Sequence, residues 1–199
     1  EMVTAARIAA YSRLDRSYFQ MLNGLDSGTS GTYWLTADSV TDRRRANSFT
    51  GTSTAFDLDF YNMLATGLRK QTAQNNSSAA LSHRASVLLV PSEMEVPARA
   101  VLKQVFSGMD VSEIPKLVVS DWLTHSAVTD DPATAAKTAY LMTDRDAGAF
   151  GCAFLNEIEN PTVSLQDMSL SSWNWAFRVI FDFKHLPGDP TCCVKGVTA

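Results

Sequence analysis

The sequence predicts an α+β fold, and three features of its patterning carry that reading. Residues 2–23 place Ile8, Tyr11, Leu14, Tyr18 and Leu22 at steps of three and four, which makes one apolar stripe on a helix. Residues 86–120 run strand, helix, strand, as expected for a small mixed sheet with helices packed on it. Trp173 to Lys184 alternates with period two, the signature of an extended chain with one face covered.

Composition bounds the rest. A chain of 199 residues holds one medium domain or two small ones. With 45% apolar and 19% charged residues it has the means to bury a core, which excludes intrinsic disorder. A net charge of −4 argues against a strongly basic nucleic-acid binder. No apolar run approaches the ~20 residues that span a bilayer, so no membrane partner is expected. Arg7 interrupts Ala5–Ala10, so no signal peptide is read there. Cys152, Cys192 and Cys193 are odd in number and two are adjacent, which suits a reducing compartment better than a disulfide framework.

Thr4 can cap the first helix, and Asn23-Gly24 can stop it. Residues 24–54 have loop composition, with a short element around Tyr33, Trp34 and Leu35. A loop of that length is usually functional or docked on a partner. Phe56 to Gln71 returns to helical spacing through Phe56, Phe60, Met63, Leu64 and Leu68. Ser86–Val90 reads as a strand stopped by Pro91. Ser92 and Glu95 fit a capping box, with Val96 an equally good start for the helix that runs to about Phe106. Gly108 ends it. Lys116–Ser120 and Ala139–Met142 are further strands. The stretch 173–184 is expected to be one strand of ~40 Å, with Trp173, Trp175, Phe177, Val179, Phe181 and Phe183 on a covered face. Phe150–Leu155 and Thr162–Leu165 are its candidate partners.

Catalytic chemistry is not found in this pattern. His83, His125 and His185 lack a second ligand at metal spacing, and His185 with Cys192-Cys193 makes a poor zinc set because adjacent cysteines reach one tetrahedral site badly. No metal and no cofactor is expected. Ser120, Asp121 and His125 bring hydrolase residue types close in sequence, yet such residues near a strand end are more often turn and capping residues. Gly24, Gly28 and Gly31 lack the lysine and strand of a phosphate loop. Glu93/Glu95 and Asp130/Asp131 are accounted for by a helix start and a turn. Arg43, Arg44 and Arg45 form the basic cluster, read as subunit interface or solvated loop in preference to a nucleic-acid contact; Arg178, on the polar face of the long strand, is a further interface candidate. Long one-sided elements and long loops without a catalytic constellation point to assembly.

Several segments then resemble, in order, the major capsid proteins of tailed phages, the Mu-like major head subunit group in particular. They are SVLLVPSEMEVPARAVL (86–102), IPKLVVSDW (114–122), TAYLMTD (138–144), AFLNEIENPTV (153–163) and RVIFDFK (178–184). Gly188-Asp189-Pro190 and Lys195-Gly196 resemble that group's ending, Ala46-Asn47-Ser48-Phe49 its short Asn-containing loop, and Ala5–Asn23 its long spine helix. The resemblance covers nearly the whole chain through order and type of element.

What the resemblance implies is the tailed-phage capsid fold. A peripheral domain would hold the spine helix and loop (1–54) and the long strands (149–185). A mixed axial domain would span 55–148, with 186–199 returning to it. It implies a shell protein whose partners are copies of itself in hexamers and pentamers of an icosahedral lattice. Packaged double-stranded DNA would be held without sequence specificity, with portal, scaffold or decoration proteins as further partners. The place would be the virion, after assembly in the host cytoplasm. The family's N-terminal arm and extended loop are expected ahead of the spine helix, which here begins almost at Glu1. No basis for a crosslink between subunits follows. Two other readings remain at this level: an encapsulin-like nanocompartment, and a small serine hydrolase using Ser120, Asp121 and His125.

Overall fold

The structure, a computed structural model, describes residues 2–24, 33–38, 45–73, 79–108, 114–143, 148–166 and 176–199. Helix α1 spans Met2–Gly24, α2 Leu58–Arg69, α3 Glu95–Val105 and the short α4 Pro132–Ala135. The strands are β1 Ser48–Thr50, β2 Val87–Val90, β3 Lys116–Val119, β4 Thr138–Met142, β5 Phe150–Phe154, β6 Thr162–Gln166, β7 Ala176–Ile180, β8 Phe183–Pro187 and β9 Cys193–Val197. Among the described residues no helix is long and apolar enough to cross a membrane.

Five strands form a mixed sheet in the order β1-β9-β4-β2-β3. Strand β2 runs parallel to β3 and antiparallel to β4, as the strand, helix, strand spacing of 86–120 requires. Strand β9 lies between β4 and β1, so residues from both ends of the chain complete the sheet.

The period of two sorts this sheet's side chains onto two cores. Leu88 pairs with Leu141, and Leu141 with Val194, in one row; these three pack with Val90, Ala139 and the apolar faces of α2 and α3. Their neighbours Leu89, Tyr140 and Cys193 face the other way, onto Phe19 and Leu22 of α1, Tyr33, Trp34, Leu123 and Val128. Helix α2 is well set for its place. Asp57 caps it by accepting from the Phe60 N–H at 2.8 Å, and that bond holds the Asp57 carboxyl below the usual carboxylate range. Phe60 and Leu64 then lie so close to β9 that a Cβ on Gly196 would stand 2.6 Å from Leu64 Cδ2. Glycine is needed there for close approach of helix to sheet.

Beyond this body, β5–β8 make a two-stranded ribbon. Strand β5 pairs antiparallel with β8, and β6 with β7. Both expected partners of the alternating stretch are therefore in place. The alternating stretch itself differs from one unbroken strand. It pauses at Phe181-Asp182, where its partner changes from β6 to β5, and it continues to Pro187. The reason lies across the ribbon. Residues 155–161 bulge out opposite Phe181-Asp182, while Val179, Phe181, Phe183 and His185 stay half-buried between exposed neighbours. Trp173 and Trp175 lie outside the described residues.

Three local expectations change. Ser92 opens a short 3-10 turn, Ser92–Met94, and its hydroxyl bonds the Glu93 carboxylate, so the capping box is not formed. Helix α3 starts at Glu95, near the Val96 alternative, and Glu95 pairs with Arg99 one turn on at 2.8 Å. Within 24–54, Ser48–Thr50 is a strand of the main sheet, and Tyr33 and Trp34 are core side chains. Helix α1 has the expected length, but among its described side chains only those of the last two turns are buried: Phe19 and Leu22 are buried, Ile8 is 61% exposed and Tyr11 is exposed too.

Candidate assembly surface

Helix α1 rests on the aromatic face of the ribbon. Tyr11 meets Phe181 edge-on at 5.8 Å, and Tyr18 meets Phe150 at 5.8 Å and His185 at 5.5 Å. The His185 Nε2–H donates to the Leu14 carbonyl at 3.0 Å. Phe154, Phe181, Phe183 and His185 continue the row along the ribbon. Among the described residues no third layer covers this helix on its two strands, and much of it stays wet. From Thr4 to Tyr18 no side chain of α1 is fully buried.

The bulge 155–161 has a fixed shape. Asn156 (φ 53°) and Glu157 (φ 61°) are consecutive left-handed residues, and the Ile158 N–H donates back to the Leu155 carbonyl at 3.2 Å. That is a type I′ turn, for which asparagine is suited and glutamate is strained. The Leu155 N–H bonds the Asp182 carbonyl, Pro161 is buried, and the Tyr11 hydroxyl donates to Asn160 Oδ1 at 2.7 Å. Held in this way, Leu155 is 59% exposed and Ile158 47%. Glu157 and Glu159 are exposed beside them.

Two grooves open on the surface. One of about 340 Å³ runs between Ala6, Ala9, Ala10 and Arg13 of α1 and Val179, Phe181 and Phe183 of the ribbon. Another, of about 430 Å³, is edged by Asp38, Arg45, Asp59 and Lys70, with Phe49 and Met63 inside. Arg45 bonds Asp38 of its own chain at 3.0 Å, with both side chains more than half exposed. Such a pair contributes little to stability and leaves Arg45 at the surface. Arg43 and Arg44 lie outside the described residues. Arg178 is exposed on β7, across from Ser164. Arg45 and Arg178 thus sit on different parts of the fold, one against the main sheet's edge and one on the ribbon.

The hydrolase residues do not assemble. Ser120 precedes the 3-10 turn Asp121–Leu123, His125 Nδ1 accepts from the Ala127 N–H at 3.0 Å, and the imidazole lies against Trp122. No hydrogen bond among the described residues joins the three side chains. His185 is likewise engaged with α1, while the ring near Cys192 belongs to His83, at 3.9 Å. Burial pushes the Cys192 and Cys193 thiols up, which makes them poor nucleophiles and poor ligands. Among the described residues no three histidine, cysteine or acidic side chains gather as a metal set. A 580 Å³ cleft between α1 and the main sheet carries Asp130, Asp131 and Lys195 at its wall.

Sequence reasoning missed the bulge 155–161 as a surface feature. Its signal was Asn156 ahead of Glu157 in a stretch between two strand candidates, a turn cue that the neighbouring Leu155 and Ile158 masked.

A family model described as phage capsid protein matches residues 1–196 of the chain. No curated protein matches it.

Proposed function

Since the chain belongs to the phage capsid protein family, we propose that it is the major head subunit, of the Mu-like group, and that its copies build an icosahedral shell of hexamers and pentamers around double-stranded DNA. A capsid role and a place in the virion come with the family. The finer reading is supported by one observation above all: the layer made by α1 and the ribbon is too thin to cover itself and leaves Ile8, Leu155 and Ile158 in water. Apolar side chains grouped on an extended layer are what a contact between copies would bury.

In this reading α1 is the spine helix, the ribbon completes a peripheral domain, and the five-stranded sheet with α2 and α3 is the axial domain. Each contact needs only about 800 Å² per partner, because a subunit with several neighbours is held by all of them. The chain's net charge of −4 suits a container whose contents must enter and leave. Portal, scaffold and decoration proteins would meet the finished lattice. Arg45 and Arg178 are interface candidates, on different parts of the subunit.

Negative-stain microscopy of particles from the native context, with an absorbance ratio for nucleic acid, tests the proposal. Closed shells carrying DNA are expected. A lone chain at every concentration overturns self-assembly, and shells filled with protein and free of DNA overturn the head-subunit reading in favour of a nanocompartment.

A further inference from the structure

We infer that the bulge 155–161 of one copy seats in the groove between α1 and the ribbon of the next, joining neighbours head to tail. The inference rests on the self-assembly proposed above and names the surfaces that make the contact.

The bulge is built to present its apolar side chains. Its turn hydrogen bond, the buried Pro161 and the Tyr11–Asn160 bond hold Leu155 and Ile158 outward, so little freedom remains to be lost on docking. The groove is apolar along its floor, from Ala9 and Ala10 to Val179 and Phe181, with Arg13 at its wall. Charges match as well: Glu157 and Glu159 are exposed on the bulge, and Arg13, at the groove's wall, is exposed on α1.

The contact belongs to a second copy because of where the two surfaces sit. Tyr11 ties the bulge to one flank of α1. Ala9 and Arg13, which line the groove, are each two residues from Tyr11, and side chains two apart on an α-helix point about 160° away from each other. Ala9 and Arg13 thus face away from the flank that holds the bulge, with Phe181 between Tyr11 and the groove, and a bulge held on the far side of α1 from those two residues is offered to a neighbour. Two different patches meeting in this way make a heterologous contact, which closes into a ring where the rotation allows.

Charge reversal with rescue tests this. Three variants of the full chain are compared with the parent: Glu157→Arg/Glu159→Arg, Arg13→Glu, and all three changes together. Folding is checked by circular dichroism, and the critical concentration for assembly is read by light scattering at low salt. Each partial reversal is expected to raise that concentration by roughly tenfold or more, and the combined variant to return it to within about threefold of the parent. Unchanged assembly in the partial reversals, or no rescue in the combination, overturns the inference while the parent's self-assembly stands. A parent that never assembles overturns the proposed function and this contact together. Should a reversal variant fail to fold, Leu155→Ser/Ile158→Ser carries the same reading: it must weaken assembly tenfold in a folded subunit, and normal assembly overturns the contact.

Discussion

The Asn47 carboxamide, buried just before β1, makes three bonds to two other segments at once. Its Nδ2 donates to the Tyr33 carbonyl at 2.8 Å and the Pro190 carbonyl at 3.0 Å, and its Oδ1 accepts from the Leu35 N–H at 2.7 Å. Its own carbonyl accepts from the Lys195 N–H. Asn47→Ala would strand those partners in a dry site, at about 1–3 kcal/mol for each group left unpaired. We expect a loss of several kcal/mol in urea unfolding with the fold's circular dichroism otherwise kept. This role was not legible from residue type, since asparagine among glycine, serine and threonine reads as a loop residue. Only the likeness of 46–49 to a family segment drew notice to it. His125 is the converse case: a reactive residue type in sequence, it serves in the fold as an acceptor for the next turn's backbone.

At the scale of elements, helix α2 on β9 is the tightest seam. A Cβ at Gly196 would stand 2.6 Å from Leu64 Cδ2 and 2.8 Å from Phe60 Cζ. Gly196→Ala should therefore cost about 1–3 kcal/mol, read as a lower urea midpoint with unchanged slope. An equal midpoint would mean that α2 can lift away freely. The elements that spacing fixed were those with strong local period: α2, α3, β2, β3 and β4 all lie within a residue or two of their expected bounds. The alternation expected over 173–184 was legible for the same reason where it is described, from Ala176 on. Its change of partner was not, because a bulge on the opposite strand leaves the alternation of this one intact. Strand β1 was illegible as well, since three residues among loop types carry no period.

On the scale of the whole molecule, stability is uneven. The five-stranded sheet is covered on both faces, whereas among the described residues α1 from Thr4 to Ser17 and the ribbon beyond Phe150 are covered mainly by each other. Backbone amides of α1 before Tyr18 and of β5–β8 should exchange with solvent far faster than those of β2, β4 and β9 in the isolated subunit. On assembly that contrast should shrink, with protection gained mostly in the ribbon and α1; hydrogen exchange with mass spectrometry reads both states. Equal protection of the two regions in the lone subunit would contradict the thin-layer account. The sequence offered the stripe on α1 but not its fate, because amphipathicity says which side seeks cover and not whether the same chain supplies it.

The position of β9 has a consequence for synthesis. Its slot lies between β1 and β4, yet the ribosome makes Cys193–Val197 after the other four strands of this sheet. Until then β1 lacks its partner strand, Leu141 lacks Val194, and α2 has nothing to lie on at Gly196. A nascent or broken chain thus remains an open half-sheet, and only translation through Val197 yields a subunit fit to join others.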